Sequence, residues 1–183
     1  LTEQVQELYE ETAEDQEELE EGEAVVIPTP FFRSVPEGGY EFTLVNAETG
    51  ENVGIQTIPV ARRAVTEFQG DLIVVHGESN RLLRLSPDTL ELIAESSVSV
   101  VPDGRFVVAV GAVFAAVELE GGTYVGQFDG QGRLLFRSSQ AVIPQTDIVI
   151  VDEDMLVQSP DGTVVRIPID EFSAEGQAGQ STE

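Results

Sequence analysis

An all-β domain of repeated antiparallel sheets is the fold this sequence predicts, on three observations. Short apolar runs of Val, Leu, Ile and Phe alternate with clusters of Gly, Pro, Asn and Asp, the punctuation of many short strands rather than a few long helices. Strand-turn-strand units recur at a spacing of roughly 40 residues, a period that suits a stack of small sheets. The hydrophobic content of 41% is enough to bury faces between such sheets, while every apolar run is too short to cross a bilayer as a helix.

In chain order, Leu1–Gly22 is an acidic helix candidate. A heptad frame puts Leu1, Val5 and Leu8 along one seam, which Thr12 and Asp15 interrupt before Leu19. The segment reads as a solvated linker helix or the end of a coiled coil, stopped by Gly22. Ala24–Ile27 is strand-like, and Pro28 and Pro30 keep it from extending into a long, centrally paired strand. Phe31 and Phe32 are the first large core candidates. Tyr40–Val45 sets Tyr40, Phe42 and Leu44 against Glu41, Thr43 and Val45, the period of a half-buried strand. It turns at Asn46–Gly50 and returns over Asn52–Ile58.

The second unit opens with Arg63–Phe68 and turns at Gln69-Gly70-Asp71. It continues as Asp71–His76, Arg81–Leu85 and Leu90–Glu95, with a turn at Ser86–Thr89. The third holds Ser97–Val101 and Phe106–Val110, the latter so apolar that burial on both faces is expected. Val113–Leu119, Thr123–Phe128 and Arg133–Arg137 complete it around the turn Asp129–Gly132, giving one strand more than its neighbours. The fourth runs through Ala141–Ile143, Asp147–Val151, Met155–Gln158 and Thr163–Ile169, with a turn at Ser159–Gly162. Ser173–Glu183 has no large apolar residue and is expected to be a disordered tail.

The turns Asn46–Gly50, Ser86–Thr89, Asp129–Gly132 and Ser159–Gly162 line up as one repeated feature, the last interval being shortened. On this reading residues 23–172 form a small β-propeller of about four blades. Radial stacking covers both faces of each sheet, and closure leaves only short edges. The same strands could instead build a β-sandwich or barrel, or a partial array completed by further sequence or another chain. The segments RLLRLSPD, YVGQFDG and MLVQSPDG before the turns, and LELIAES, RLLFRSS and TVVRIPI after them, resemble blades of quinoprotein-type and WD-type propellers over Val25–Ile169. The chain has no Trp, so the Trp-Asp dipeptide and the tryptophan docking motif of those families are missing, and their cofactor and partner residues do not carry over. Acidic heptads leading into such blades also resemble the C-terminal ends of large coiled-coil antigens of spirochaetes.

Composition narrows the functional classes. Thirty-four acidic residues face nine basic ones, all arginine, for a formal net charge of −25. Phosphate binding needs a basic face that releases counterions, so nucleic acid is an unsuitable partner, as is an anionic membrane surface. Such self-repulsion is best tolerated at high ionic strength, and the lack of lysine fits a saline or GC-rich source. Absence of cysteine removes disulfides, thiolate metal sites and cysteine nucleophiles together. A start at Leu1 without a signal-like apolar stretch fits a piece of a longer chain or a processed product. The expected location is periplasmic, secreted or cell-surface.

Few residues point to chemistry. His76, the only histidine, ends an apolar strand, and no Gly-x-Ser-x-Gly elbow accompanies it, so a role in satisfying backbone groups is expected rather than a serine triad. Asp152-Glu153-Asp154 is the one dense carboxylate group outside the N-terminal helix. It is a candidate acid pair for a glycosidase, and Asp152 and Asp154 are the candidate Ca²⁺ ligands. The glycines of Gly126–Gly132 serve a hairpin and open no phosphate-binding helix. Arg62-Arg63 is the densest basic spot, suited either to pairing with acidic neighbours or to holding a partner's carboxylate in bidentate fashion. The expected function is a non-enzymatic protein-interaction or assembly domain without a cofactor, displayed at the end of a helical or coiled-coil region. Its partner is another protein, and the N-terminal helix is a candidate for self-association. The alternatives are a propeller-type carbohydrate-active hydrolase or lyase, and a purely structural oligomerisation domain.

Overall fold

The computed structural model describes residues 26, 28–54 and 56–173. The acidic helix expected over residues 1–22, most of the strand-like run 24–27 and the tail from 174 lie outside them. The described chain is all-β, with four small antiparallel sheets in a four-bladed, propeller-like arrangement. Sheet 1 contains β1 (Pro28–Ser34), β2 (Tyr40–Asn46) and β3 (Ile58–Val60). Sheet 2 contains β4 (Thr66–Phe68), β5 (Asp71–Val75), β6 (Leu82–Leu85) and β7 (Leu92–Glu95). Sheet 3 contains β8 (Phe106–Ala109), β9 (Ala112–Leu119), β10 (Gly122–Phe128) and β11 (Leu134–Ala141). Sheet 4 contains β12 (Val149–Val151), β13 (Asp154–Gln158) and β14 (Val164–Pro168), followed by a 3₁₀ turn at Ile169–Glu171. Each sheet is a meander in which consecutive strands pair.

A single such sheet has two apolar faces and cannot bury either alone, so the sheets stack. Three cores result. Phe42, Leu44, Ile58 and Val60 of sheet 1 meet Val74, Leu83, Leu85 and Leu90 of the second unit. Phe68, Ile73, Val75 and Leu82 of sheet 2 meet Val113, Ala115, Val117 and Phe128 of sheet 3. Phe114 and Val125 of sheet 3 meet Met155, Val157, Ile167 and Phe172 of the fourth unit. Burial of Phe114 and Phe172 is completed by an edge-to-face ring contact at 5.2 Å.

The repeat register is visible in the first strand of sheets 2 to 4, which is broken each time by a loop. Ala61 donates its N–H to the Val75 carbonyl before β4 begins. Val100 bridges to Val117 before β8, and the Ile143 N–H reaches the Gln158 carbonyl before β12. Each of these strands ends in a tight turn entered by a left-handed residue, Gln69, Val110 or Asp152, at φ between 43° and 55°. By this register sheet 4 holds the first three positions, and sheet 1, whose β3 leads directly into Ala61, holds the last three. Ser159–Gly162 therefore matches the β5–β6 connection, not Ser86–Thr89. The short last interval is a turn one strand earlier in the sheet, not a compressed repeat.

Other expectations change for local reasons. Ser97–Val101 is no separate strand but the interrupted start of the first strand, so sheet 3 has four strands like sheet 2. The strand buried on both faces is β9, flanked by β8 and β10; β8 is an inner edge, and Val110 beyond it is 71% exposed. The return after Asn46–Gly50 pairs only at Asn52, because Val53 and Gly54 both donate to the Leu44 carbonyl, and regular pairing resumes at Ile58. Phe32 packs on Phe42 at 4.9 Å, as a core residue should, but Phe31 points to the opposite face.

A pair of buried serines marks the fourth strands. Ser96 Oγ accepts the Leu82 N–H and donates to the Val98 carbonyl; Ser138 Oγ accepts the Val125 N–H and donates to the Gln140 carbonyl. Both are almost fully buried; Ser96 satisfies backbone groups just past β7, and Ser138 does so at the register shift between Arg137 and Ala141 of β11.

Candidate functional site

Where sheets 2 and 3 converge, β4 and β8 lie against each other. The loops that break these strands carry Arg62, Arg63 and Arg105. Together with Ala64, Val65, Thr66 and Phe106 they line a surface cleft of about 460 Å³. Three of the nine arginines of a chain at net −25 thus face one cavity.

The arginines differ in how they are held. Arg105 Nε lies 2.7 Å from Asp147 Oδ1 in an exposed pair. Arg63 stacks its guanidinium 5.9 Å from the Tyr40 ring centre, within cation–π range. Arg62 lies 5.0 Å above the Phe106 ring, and its terminal N–H reaches the Asp103 carbonyl at 3.4 Å. Its Nε is buried without a hydrogen-bond partner in the described structure. Burial first, and then the charge of Arg105, hold the Arg62 guanidinium below the usual arginine range, against an opposing pull from Asp103. Six arginines form ion pairs, but Arg62 and Arg63 enter none among the described residues. Asp103 is the acidic neighbour that attracts Arg62, without forming an ion pair with it among the described residues. An incoming carboxylate would offset the repulsion between Arg62 and Arg105, while Phe106 and Val65 offer apolar surface beside it.

Nothing local in the sequence singles out Arg105, since a whole sheet separates it from Arg62. Its only signal is its place just before β8, matching the loop that carries Arg62-Arg63 before β4.

The acidic candidates lie elsewhere. Asp152, Glu153 and Asp154 form the β12–β13 turn and line a second cleft of about 590 Å³ with Asp170, Ile169 and Phe172. The Asp154 carboxylate is engaged by Arg166. Among the described residues, no group of three or more His, Cys, Asp or Glu side chains is placed to hold a metal ion. His76 Nδ1 accepts from the Ser79 N–H at 3.3 Å and lies 2.9 Å from Ser79 Oγ, closing the β5–β6 turn. The Gly126–Gly132 run is hairpin, with Asp129 Oδ1 accepting the Gln131 and Arg133 N–H groups. Gly126 also sits where a Cβ would come within 2.7 Å of Leu134 and 3.2 Å of Val117, so close packing rather than a ligand explains it.

Comparison with protein-family models gives no match, and comparison with curated proteins gives none. Among solved structures, the chain is similar to the computationally designed Ika4 protein. The TM-score is 0.52 at 11% identity, over 80% of this chain and 94% of that one. The likeness is one of fold.

Proposed function

We propose that this domain is a non-enzymatic protein-interaction module that holds a carboxylate of its partner in the Arg62–Arg63–Arg105 cleft. The observation that carries the reading is a cleft lined by three arginines of a strongly acidic chain, of which Arg62 and Arg63 enter no ion pair among the described residues. A carboxylate bound among these guanidinium groups offsets their mutual repulsion and forms charge-assisted hydrogen bonds. Repeat folds concentrate recognition in the loops that interrupt their strands, and these arginines lie on two such loops. The heptad pattern of residues 1–22 supports display of the module at the end of a helical segment, and the net charge of −25 favours a protein over a nucleic acid or an anionic membrane as the partner.

The test is a titration of ¹⁵N-labelled protein with a short neutral-bodied peptide ending in a free leucine carboxylate, followed at the arginine Nε–H resonances. Selective shifts at Arg62 and Arg105, lost for the C-terminally amidated peptide and in Arg62→Gln, support the reading. Equal responses to the acid and the amide, or no response at millimolar peptide, overturn it.

A further inference from the structure

Among the described residues, four sheets joined by three cores leave two outer faces: the face of sheet 1 turned away from sheet 2, and the face of sheet 4 turned away from sheet 3. We propose that these end faces dock a second copy of this chain, sheet 4 of one copy packing on sheet 1 of the other. Each open face carries residues that match those by which its equivalents inside the array make contact.

The open face of sheet 4 reproduces the face that sheet 2 turns toward sheet 3. There Asp71, the first residue of β5, pairs with Arg84 at 2.6 Å, and Arg84 sits opposite Ile73 on β6. In sheet 4, Asp154, the first residue of β13, pairs with Arg166, which sits opposite Leu156 on β14. Two residues before Arg84 stands Leu82, 5% exposed in the core; two residues before Arg166 stands Val164, 70% exposed. Across the inner interface Arg84 also donates to the Gly130 carbonyl at 2.8 Å, in the turn Asp129–Gly132. The matching turn of sheet 1 is Asn46–Gly50, closed by the same device: Asn46 Oδ1 accepts the Glu48 N–H as Asp129 Oδ1 accepts that of Gln131. Arg166 of one copy therefore has an equivalent carbonyl to reach, that of Ala47 in the other.

The open face of sheet 1 completes the match. Phe31 and Thr43, directly paired across β1 and β2, occupy the places of Val74 and Leu83 in sheet 2. Val74 is 0% exposed against sheet 1, whereas Phe31 is 51% exposed; Thr43 beside it is 4% exposed, its hydroxyl donating to Asn52 Oδ1, so the open part of this face centres on Phe31. A large exposed aromatic at a position that is core in the equivalent sheet suits an interface, where aromatic residues are enriched. Two copies related by a two-fold axis use the contact twice and leave neither face open.

Each copy carries net −25, so the contact forms against long-range repulsion and strengthens with salt. The Debye length falls from about 10 Å at 0.1 M to about 3 Å at 1 M. Sedimentation equilibrium of the full chain across this range should give a dimer fraction that rises with salt. Phe31→Glu and Val164→Glu should each weaken association at least tenfold, while Val110→Glu, which adds the same charge outside both faces, should leave it unchanged. A chain that stays monomeric at every salt concentration overturns the proposal. So does an assembly that survives both face variants, or one that Val110→Glu weakens equally. Because Phe31 and Val164 are exposed in the single copy, their variants keep the fold, which circular dichroism checks. None of the three residues belongs to the arginine cleft, so failure here is separable from failure of the peptide titration.

Discussion

Removing the guanidinium of Arg84 should destabilise the domain far more than removing that of Arg166, although the two make the same local ion pair. Arg84 and Asp71 side chains are 15% and 18% exposed, and Arg84 additionally clamps Gly130 and lies 5.2 Å over the Phe68 ring. Arg84→Ala leaves the Asp71 carboxylate with reduced solvation and no counter-charge, and deprives the Gly130 carbonyl of its donor. Breaking a fully buried pair from one side costs about 3–5 kcal/mol. With residual water access to Asp71, about 2–3 kcal/mol is expected here. The Arg166 side chain is 64% exposed, its pair with Asp154 is screened, and Arg166→Ala should cost at most about 1 kcal/mol. Urea unfolding of dilute protein at low salt, followed by circular dichroism, measures both. A loss below about 1 kcal/mol for Arg84→Ala, or equal losses for the two variants, would refute the view that the same pair is sealed between sheets 2 and 3 and open on sheet 4.

The same packing sets three further outcomes. Phe114→Ala empties a fully buried ring site between sheets 3 and 4 and should cost about 3–5 kcal/mol, measured by the same unfolding assay; a loss under about 1.5 kcal/mol would mean the core is not closed there. Gly132 has φ of +73°, and a Cβ on it would fall 2.4 Å from the Glu95 carbonyl oxygen, so Gly132→Ala should destabilise by at least about 2 kcal/mol and uncouple the Ser97–Gly132 hydrogen bond; unchanged amide exchange at Ser97 would contradict this. The Asp161 carboxyl is lowered to about 2 by the hydroxyl of Ser159 and the N–H and hydroxyl of Thr163. A depressed folded value stabilises the fold above the unfolded pKa, and that contribution fades as pH falls from about 4 through 2. A carbon-detected NMR titration should place Asp161 near 2, and Ser159→Ala should raise it; an ordinary carboxylate value in the wild type would dismiss the turn geometry.

How far the sequence reaches can be judged from particular residues. The alternation of Tyr40, Phe42 and Leu44 against Glu41 and Thr43 marks strand β2 and its inward face, and the β5 to β7 hairpins fall where Gly77 and Ser86-Pro87-Asp88 place them. Local pattern suffices there because turn chemistry and period coincide. It fails at β8 and β9, where both runs are apolar and only the neighbouring strands decide which one is enclosed. It also misaligns Ser159–Gly162, since turns of like composition occur at two positions of the sheet, and only the broken first strands fix the register. Arg62-Arg63 is visible as a basic dipeptide; its third arginine and the orphaned Nε depend on which loops the stacking brings together. The Ser-Ser pairs at Ser96 and Ser138 are a repeat signal in plain view, but their meaning rests on backbone groups that only the assembled strands reveal.

Among the described residues the array holds three cores and not four. Hydroxyl-radical footprinting of the phenylalanines, read by mass spectrometry, tests it directly. In dilute protein at low salt, Phe31 should label readily while Phe42, Phe68, Phe114 and Phe128 stay protected, and Phe31 should become protected as salt drives a second copy onto sheet 1. Protection of Phe31 in the monomer at low salt would contradict the claim, because it would mean that the outer face of sheet 1 is already covered within a single chain.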